Sequence, residues 1–160
     1  MKKLKIDLAK VSIFKERLSG AKNLLYFADN CGEIVFDRLL LEVIEAEREL
    51  DVTVVTRNSP VVNDATVEDA VSIGLGKLAH VIGNGIQRPT PGTLLEEVSS
   101  EVRELVDKAD LVISKGGANY ELLSEKKALA GKTTFLFLGK CHPLCSIQGV
   151  PFKALIVHHY

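Results

Sequence analysis

Residues 24–41 read LLYFADNCGEIVFDRLLL, and this stretch decides the predicted fold. Its first part belongs to an apolar run over residues 23–28 with few charges, which is typical of a strand buried on both faces. From Glu33 to about residue 49 the apolar side chains recur at helical spacing, so a long helix is predicted there. A tight turn joins the two at the carboxyl end of the strand, where open α/β sheets bind their ligands.

The turn between these two elements carries two side chains with oxygen ligands, those of Asp29 and Asn30. Carboxylate and amide oxygens suit a hard cation of the magnesium or manganese type. Asp and Asn are also favoured at the position that begins a helix, so a plain capping role stays open on this stretch alone. The remainder of the chain has to decide between the two interpretations.

The composition of the 160 residues predicts one soluble globular domain with a substantial core. The net charge is −1, which gives no electrostatic basis for binding nucleic acid or an anionic membrane. No apolar run is long enough to span a bilayer, and no apolar stretch of a secretory signal follows the first lysines. Three cysteines without a framework spacing indicate a reducing compartment, so we expect a cytoplasmic protein.

Strand and helix patterns alternate along the rest of the chain. Further strands are predicted over residues 51–56, 79–82, 110–114, 133–138 and 153–157. Further helices are predicted over residues 7–18, 62–74, 93–108 and 119–130, and a loop over residues 139–151. The alternation predicts a mostly parallel sheet with helices on both faces. The last strand follows no helix and could therefore be antiparallel to its neighbour.

Capping residues set the predicted starts of three of these helices. Asp7 is a plausible N-cap for the first helix. The helix over residues 62–74 is predicted to begin near Asn63 or Asp64. Thr93 with Glu96 fits a capping box for the helix over residues 93–108, and Thr90 with Pro91 at the first helical position is a competing start. These positions are the expectations against which the structure is compared below.

Polar residues collect in the turns that follow the predicted strands, at one edge of the sheet. They are Asp29, Asn30 and Glu33, then Arg57, Asn58, Asn63, Asp64 and Asp69, then Lys115, Gly116, Gly117, Asn119 and Glu121, then Lys140, Cys141, His142 and Cys145. Carboxylates and an amide on one flank could hold a hard cation, whereas a lysine and glycine amides on the other could hold a phosphate. A metal beside a phosphate site is the arrangement for phosphoryl chemistry by a metal-activated water.

Several of these residues have simpler explanations. Asp64 could cap a helix, Asp69 could be a solvated helical residue, and Lys115 could be an exposed turn lysine. His158 and His159 are predicted to form a frayed tail rather than a site. These alternatives remain open at this point.

The cysteines do not favour a site of their own. Cys141-x3-Cys145 with His142 suggests zinc, but a fourth ligand and a second cysteine pair are missing. Cys31 has no histidine near it in sequence, so packing as a small apolar side chain is the preferred interpretation over a nucleophile.

Taken together, four motifs resemble the DUF89 family, the metal-dependent damage-control phosphatases. They occur in the family's order and spacing: Asp29-Asn30-x-Gly-Glu-Ile-Val-Phe-Asp37, Asn63-Asp64-Ala-Thr-x-x-Asp69, Ser114-Lys115-Gly116-x-x-Asn119-Tyr-Glu121 and Lys140-Cys141. The resemblance covers the chain from about Phe14 onward. It implies a Rossmann-like three-layer α/β/α sandwich with a mostly parallel sheet.

The resemblance also implies a divalent cation, with manganese, magnesium, cobalt or nickel supporting activity, and hydrolysis of small phosphorylated metabolites such as sugar phosphates. By motif position, Asp29, Asn30 and Asp64 would bind the metal. Asp29, Asp64 and Asp69 would be the catalytic carboxylates that hold and activate the attacking water. The chain would thus be a divalent-metal-dependent phosphomonoester hydrolase.

A second group of motif residues would bind the substrate. The resemblance implies this role for Glu33, Lys115, Gly116, Gly117, Asn119 and Lys140. The lysines and Asn119 would contact the phosphate, the glycine amides would assist, and Glu33 would be a substrate group or an outer neighbour of the metal.

Members of this family usually carry a helical domain of roughly a hundred residues before the Asp-Asn motif, within the usual range for a domain. Only 28 residues precede Asp29 in this sequence. Residues 1–160 are therefore expected to form a single DUF89-like domain, with residues 1–20 as a residual N-terminal helix. A homo-oligomer, or a partner chain that carries the helical domain, is expected to cover the exposed face.

Three other functions are weighed against the phosphatase. A non-catalytic module that binds phosphometabolites, or a subunit that needs a partner chain, stays open. A Rossmann-type methyltransferase or nucleotide binder is disfavoured because the first turn lacks GxGxxG and carries acid. A haloacid-dehalogenase-type phosphatase is disfavoured because Asp29 is not followed two residues later by a second Asp.

Overall fold

Six strands form the centre of the protein in the computed structural model, which describes residues 6–160. They are β1 (Asn23–Phe27), β2 (Asp51–Thr56), β3 (His80–Gly83), β4 (Leu111–Lys115), β5 (Thr133–Leu138) and β6 (Leu155–His159). All six lie within one or two residues of the predicted strands. The β-branched and aromatic runs explain this agreement, because such side chains fit a pleated sheet that is buried on both faces.

Six α-helices connect the strands within the same residues. They are α1 (Leu8–Gly20), α2 (Ile34–Glu47), α3 (Val67–Ser72), α4 (Ser100–Lys108), α5 (Gly117–Leu123) and α6 (His142–Ile147). Two single 3-10 turns follow α3 and α5, at Leu75–Lys77 and Lys127–Leu129. Asp7 caps α1 as predicted, since its Oδ1 accepts from the Ala9 backbone N–H at 3.0 Å. Residues 1–5, the start of the predicted residual helix, lie outside the described part.

The strand order is β3-β2-β1-β4-β5-β6. Every neighbouring pair is parallel except β5 and β6, which run antiparallel. The predicted α/β class with a mostly parallel sheet is therefore confirmed. The order reverses at β1, so the crevice at its carboxyl end is the switch point where ligands bind in open sheets.

The sheet has an apolar core on each face. On one face, α1, α2 and α3 pack against the strands through residues such as Phe14, Ile34 and Ala70. On the other face, α4, α5 and α6 do so through Val102, Leu123 and Leu144. This gives the three-layer sandwich. None of the described helices combines the length and the apolar character that crossing a membrane requires.

The predicted start of α3 was wrong. Residues 61–65 form an irregular loop in which Val62 has a φ of +50°, and the helix begins only at Val67. Thr66 is its N-cap and Asp69 completes a capping box, so Asp64 caps nothing. The reciprocal pair supplies partners for the free N–H groups of the first turn, which makes Thr66 the better start.

The predicted start of α4 was wrong for a different reason. Thr93 does not cap a helix, because its buried hydroxyl accepts a hydrogen bond from Arg57. The backbone N–H of Ser99 donates to the carbonyl of Asn84, and the Ser99 hydroxyl caps the helix through Val102 N–H. A tertiary contact therefore overrides a capping pattern that the local sequence favours.

The C-terminal third departs from prediction at three places. The helix predicted over residues 119–130 begins at Gly117 and ends at Leu123, with a 3-10 turn beyond. The predicted loop over residues 139–151 contains α6, which buries Leu144 and Cys145 and is too short to show a periodic pattern. His158 and His159 are not a frayed tail: they lie in β6, where His159 Nδ1 is 3.0 Å from the Thr134 hydroxyl.

Candidate functional site

The site is built on the turn that follows β1, the central strand of the sheet. Residues 29–33 leave the carboxyl end of β1 and lead into α2. The ends of β2 and β4 lie on either side, because both strands pair with β1. Side chains from three strand ends therefore meet at the switch point, as the sequence predicted.

Backbone contacts bring Asp64 to the turn after β1. Asn30 and Asp64 form an isolated antiparallel bridge, and the Ala65 N–H donates to the Asp29 carbonyl at 2.7 Å. The Cys31 N–H donates to the Asn63 carbonyl at 2.8 Å. The three residues predicted to bind a metal, Asp29, Asn30 and Asp64, are thus neighbours, although 34 positions separate Asn30 from Asp64.

The Asp29 carboxylate lies in a crowded, acidic setting. Asn30 Nδ2 donates to its Oδ2 at 2.6 Å. Burial, followed by the charges of Asp64 and Glu33, raises the pKa of Asp29 to about 6. Arg57 and Lys140 oppose this rise without cancelling it. A carboxylate that is buried beside other carboxylates favours a bound cation, which would relieve the repulsion.

Arg57 is the residue of this site that the sequence analysis placed at the edge but gave no role. It is only 2% exposed and its guanidinium makes three contacts. Nε donates to Asp64 Oδ2 at 2.7 Å, one terminal nitrogen to the Thr93 hydroxyl at 2.8 Å, and the other to Asn119 Oδ1 at 3.3 Å. Its position directly after a buried strand was the available signal, because a cation there faces the carboxylates of neighbouring strand ends.

Asn119 is buried and braces the strand ends. Its Nδ2 donates to the carbonyls of Ala28 at 3.1 Å and Lys115 at 2.8 Å, and its Oδ1 accepts from Arg57. The amide side chain therefore ties the ends of β1 and β4 to Arg57. The structure shows it in this bracing position, and its predicted contact with a phosphate stays a prediction.

Lys115 is the last residue of β4 and is 8% exposed. Its Nζ donates to Asp37 Oδ1 at 2.6 Å and to Glu33 Oε1. Burial alone would lower the pKa of Lys115, but the two carboxylates outweigh it, so the pKa is raised above its ordinary value. The alternative of an exposed turn lysine is therefore wrong, and Lys115 is a buried cation.

Gly116 allows Asp29 to lie against the chain. It has φ +85° and ψ 155°, a region that other residues essentially never adopt. A Cβ atom at this position would lie 2.2 Å from Asp29 Cγ. The Gly116 N–H donates to the Leu136 carbonyl at 3.1 Å. This amide is therefore already paired, contrary to the expectation that it would bind a phosphate. Gly116 contributes space and conformation instead.

A pocket of about 700 Å³ opens beside these groups. Its polar and glycine lining includes Asp29, Asn30, Glu33, Lys115, Gly116, Gly117, Glu121 and Lys140. Its apolar lining includes side chains of β5 and β6, such as Leu136 and Val157. The pocket therefore combines charged lining residues with an apolar wall.

Asp69 was predicted to be catalytic, and the structure places its carboxylate in the capping box of α3. Its Oδ2 accepts from the Thr66 N–H at 2.9 Å and from the Thr66 hydroxyl at 2.8 Å. These contacts give Asp69 a structural role at the start of α3, and its predicted catalytic role stays a prediction.

Neither the cysteines nor the histidines form a competing centre. No three His, Cys, Asp or Glu side chains within residues 6–160 come together as a metal-binding group. Cys31 is an exposed free thiol, and Cys145 is a buried free one. The predicted metal ligands Asp29, Asn30 and Asp64 are not a group of this kind, because Asn30 would bind through an amide oxygen. Carboxylate and amide oxygens together suit a hard ion that keeps several waters.

The charges of the site fit a divalent cation. Four carboxylates, those of Asp29, Glu33, Asp37 and Asp64, face two buried cations, Arg57 and Lys115. When these six groups are ionised, two negative charges remain in excess, and Lys140 in the pocket lining offsets one of them. Asn30 uses its Nδ2 on the neighbouring carboxylates, which leaves its oxygen for a cation.

Known proteins resemble this chain over most of its length. The sequence profile described as the damage-control phosphatase ARMT1-like domain matches residues 2–156. A damage-control phosphatase from Pyrococcus horikoshii is 40% identical over 154 residues, which are 96% of this chain and 52% of that protein. A damage-control phosphatase from Archaeoglobus fulgidus is 39% identical over 139 residues, which are 85% of this chain and 45% of that protein.

The solved structures give the same result. The crystal structure of a DUF89 family protein from Pyrococcus horikoshii superposes with a TM-score of 0.88 at 37% identity. The match covers 99% of this chain and 53% of that one.

A third relative by sequence is an uncharacterized protein from Methanocaldococcus jannaschii, which is 38% identical over 92% of this chain and 48% of its own length. The chain spans about half the length of the curated relatives it matches.

Proposed function

The chain belongs to the damage-control phosphatase ARMT1-like (DUF89) family, and on that premise we propose that it hydrolyses small phosphomonoesters with a divalent cation. The observation that carries the proposal is the meeting of Asp29, Asn30 and Asp64 at the turn after β1, beside a pocket that Asp29, Asn30 and Lys115 line. Carboxylates for a cation and a cation for a phosphate are the two requirements of this chemistry.

Asp29, Asn30 and Asp64 would hold the metal, with manganese, magnesium, cobalt and nickel as the candidate ions. When bound, such an ion supplies a Lewis acid that lowers the pKa of a coordinated water. The ion would also balance the excess of negative charge at the site. Water ligands would complete the coordination, because only three side chains are at hand.

The protein's own groups prepare the reaction. Gly116 and Asn30 fix the Asp29 carboxylate from two sides. Arg57 binds Oδ2 of Asp64, so Oδ1 is left to orient the attacking water. Lys115 offsets the charge that develops on the phosphoryl oxygens, and Lys140 adds a positive charge in the pocket lining. No covalent intermediate on the protein is needed.

The substrates we propose are small phosphorylated metabolites such as sugar phosphates. The pocket volume of about 700 Å³ admits a molecule of that size. The three free cysteines fit the reducing conditions of a cytoplasm, where such metabolites are found.

A second candidate is a phosphate-binding subunit that another chain completes, either a second copy or a partner. The observation that favours it is an apolar stripe on the outer face of α2, where Val35, Phe36, Leu39 and Val43 are all more than half exposed. Such a stripe is unusual on a free monomer and marks a contact surface. Light scattering of the purified chain at micromolar concentration reports whether it self-associates.

An assay with a generic aryl phosphate across the four metals separates the two candidates. We expect turnover that depends on metal, disappears with a chelator and returns with added manganese. A preparation of Asp29→Ala, purified in the same way, controls for contaminating phosphatases. Phosphate binding without turnover would favour the subunit, and absence of both would contradict either function.

A further inference from the structure

An aspartate lies among the core-facing residues of α2. The buried side chains of that helix are Ile34, Asp37, Leu41 and Ile44, which share one face. The side chain of Asp37 is only 4% exposed, at a position where an apolar residue is expected. A buried carboxylate is costly unless it is paired, so its presence calls for an explanation.

The pairing of Asp37 does not make it a stability device. Its Oδ1 accepts from Lys115, and the Asp37 carboxylate also interacts with the buried Tyr26 hydroxyl, but within residues 6–160 neither Asp37 Oδ2 nor that hydroxyl makes a hydrogen bond of ordinary geometry. Burial, and then the Asp37 charge, raise the pKa of Tyr26 well above its ordinary value. A buried ion pair with unsatisfied atoms adds little net stability, and apolar residues would serve the fold as well.

Lys115 has two carboxylate partners, and they differ in exposure. The side chain of Asp37 is 4% exposed, whereas that of Glu33 is 36% exposed and lines the pocket. Glu33 also has another neighbour, because Asn30 Nδ2 lies 3.4 Å from its Oε2. Glu33 can therefore separate from Lys115 at a small cost in free energy, because solvent and Asn30 can replace the lysine. Asp37 is buried, so its carboxylate would lose its cation without gaining solvent.

We propose that Asp37 is a positioning residue that holds the Lys115 ammonium among the charged lining residues of the pocket, and that Glu33 occupies the place which the substrate phosphate takes. With both carboxylates in place the group around Lys115 is net negative, which repels an anion. When the phosphate displaces Glu33, the ammonium keeps one hydrogen bond to Asp37 and donates its others to the phosphoryl oxygens. The proposal rests on the proposed function, because it concerns the same pocket.

Two substitutions on the same lysine should act in opposite directions. Asp37→Asn removes the charge that holds the ammonium, so we expect the Kd for inorganic phosphate to rise about tenfold. Glu33→Gln weakens the competitor of the phosphate, so we expect the Kd to fall about threefold. Calorimetric titration with inorganic phosphate, with magnesium chloride present, measures both. Glu42→Gln, at a partly exposed carboxylate on the same helix, is the matched control and should leave the Kd unchanged.

A positioning role also requires that Asp37 act through Lys115. We therefore expect Asp37→Asn to change the phosphate Kd less than about twofold when Lys115→Met is already present. An equal effect of Asp37→Asn in both backgrounds would overturn the proposal. A shift of the Kd in the same direction by Asp37→Asn and Glu33→Gln would also overturn it, because a purely structural role predicts that pattern.

Failure of this proposal is distinguishable from failure of the proposed function. The opposite shifts without any turnover of an aryl phosphate would support the positioning of Lys115 and contradict the hydrolase. Turnover without the opposite shifts would support the hydrolase and contradict the positioning of Lys115 by Asp37. Undetectable phosphate binding by the parental chain would also contradict that positioning. If Asp37→Asn does not fold, Glu33→Gln decides alone: tighter binding supports the proposal and unchanged or weaker binding overturns it.

Discussion

Arg57 and Lys115 are buried cations on opposite flanks of the turn after β1, and their surroundings differ. Arg57 is bound by one carboxylate and two neutral oxygens, all of them buried or nearly so. Lys115 is bound by two carboxylates, one of them half-exposed at the pocket. Arg57 lies outside the lining of the pocket, whereas Lys115 belongs to it.

The difference follows from the chemistry of the two cations. A guanidinium presents a rigid fork of donors, so Arg57 can join three elements permanently, and it fixes Asp64. An ammonium is a compact charge on a flexible stem, so Lys115 can exchange one partner for another. The Arg57 flank therefore fixes the geometry of the site, and the Lys115 flank is the one that we propose binds the ligand.

Asp29 lies between the two flanks, and its removal should have the largest effect. We expect Asp29→Ala to lower kcat/KM by about a thousandfold or more, because the site loses a carboxylate that would hold the cation and its water. The fold should persist, since this carboxylate is repelled rather than stabilised by its neighbours. Steady-state assays and circular dichroism measure the two properties. Asp107→Ala, an exposed aspartate on α4, is the matched control, and near-parental turnover in Asp29→Ala would contradict the mechanism.

Removal of Arg57 tests the claim that its flank is structural. Arg57→Leu leaves Asp64 buried without its partner, so we expect the free energy of unfolding to fall by about 3–5 kcal/mol. Urea denaturation followed by circular dichroism measures the loss. The control is Arg88→Leu, which breaks an exposed pair with Glu97 and should barely move the urea midpoint. Similar small shifts in both variants would remove the distinction between the two flanks.

Two adjacent glycines offer a sharper comparison at the point where the flanks meet. A Cβ at Gly116 would overlap the Asp29 carboxylate, whereas a Cβ at Gly117 would lie 3.4 Å from Leu144 Cδ1. Displacing a reacting group by about 1 Å costs roughly a hundredfold in rate, so Gly116→Ala should lower kcat/KM by about that factor. Gly117→Ala should change it much less. Equal losses in the two variants would show that Asp29 is not held by this contact.

The smallest effect concerns Asp69, a carboxylate outside both flanks. Asp69→Ala removes half of the capping box of α3, so we expect the free energy of unfolding to fall by about 1 kcal/mol. Thermal denaturation measures this change, and Thr66→Ala should give a similar one. An assay well below the melting temperature then distinguishes the cap from the catalytic role that the sequence favoured. A large loss of kcat in Asp69→Ala alone would support that role.

The strands and the class of fold could be predicted because their signals are local. The runs at Asp51–Thr56 and Thr133–Leu138 are rich in β-branched or aromatic side chains, and the structure has strands at those bounds. Their alternation with helices leaves few topologies other than a parallel sheet. The errors fell on helix ends, on the short helix α6 and on the two histidines of β6. Thr93 fits a capping pattern, but Arg57 takes its hydroxyl, and no local rule contains that contact.

The sequence by itself determined which residues gather at the carboxyl edge of the sheet, because parallel strands bring the turns that follow them to one edge. Only the tertiary structure decided what each residue does there. In the structure Asp64 is ion-paired with Arg57, and Lys115 is ion-paired with both Glu33 and Asp37. The Gly116 N–H donates to the Leu136 carbonyl of the neighbouring strand. Such pairings depend on the register of neighbouring strands, on the burial of the side chains and on distances between them to within about an ångström. The spacing of residues along the chain does not determine these quantities.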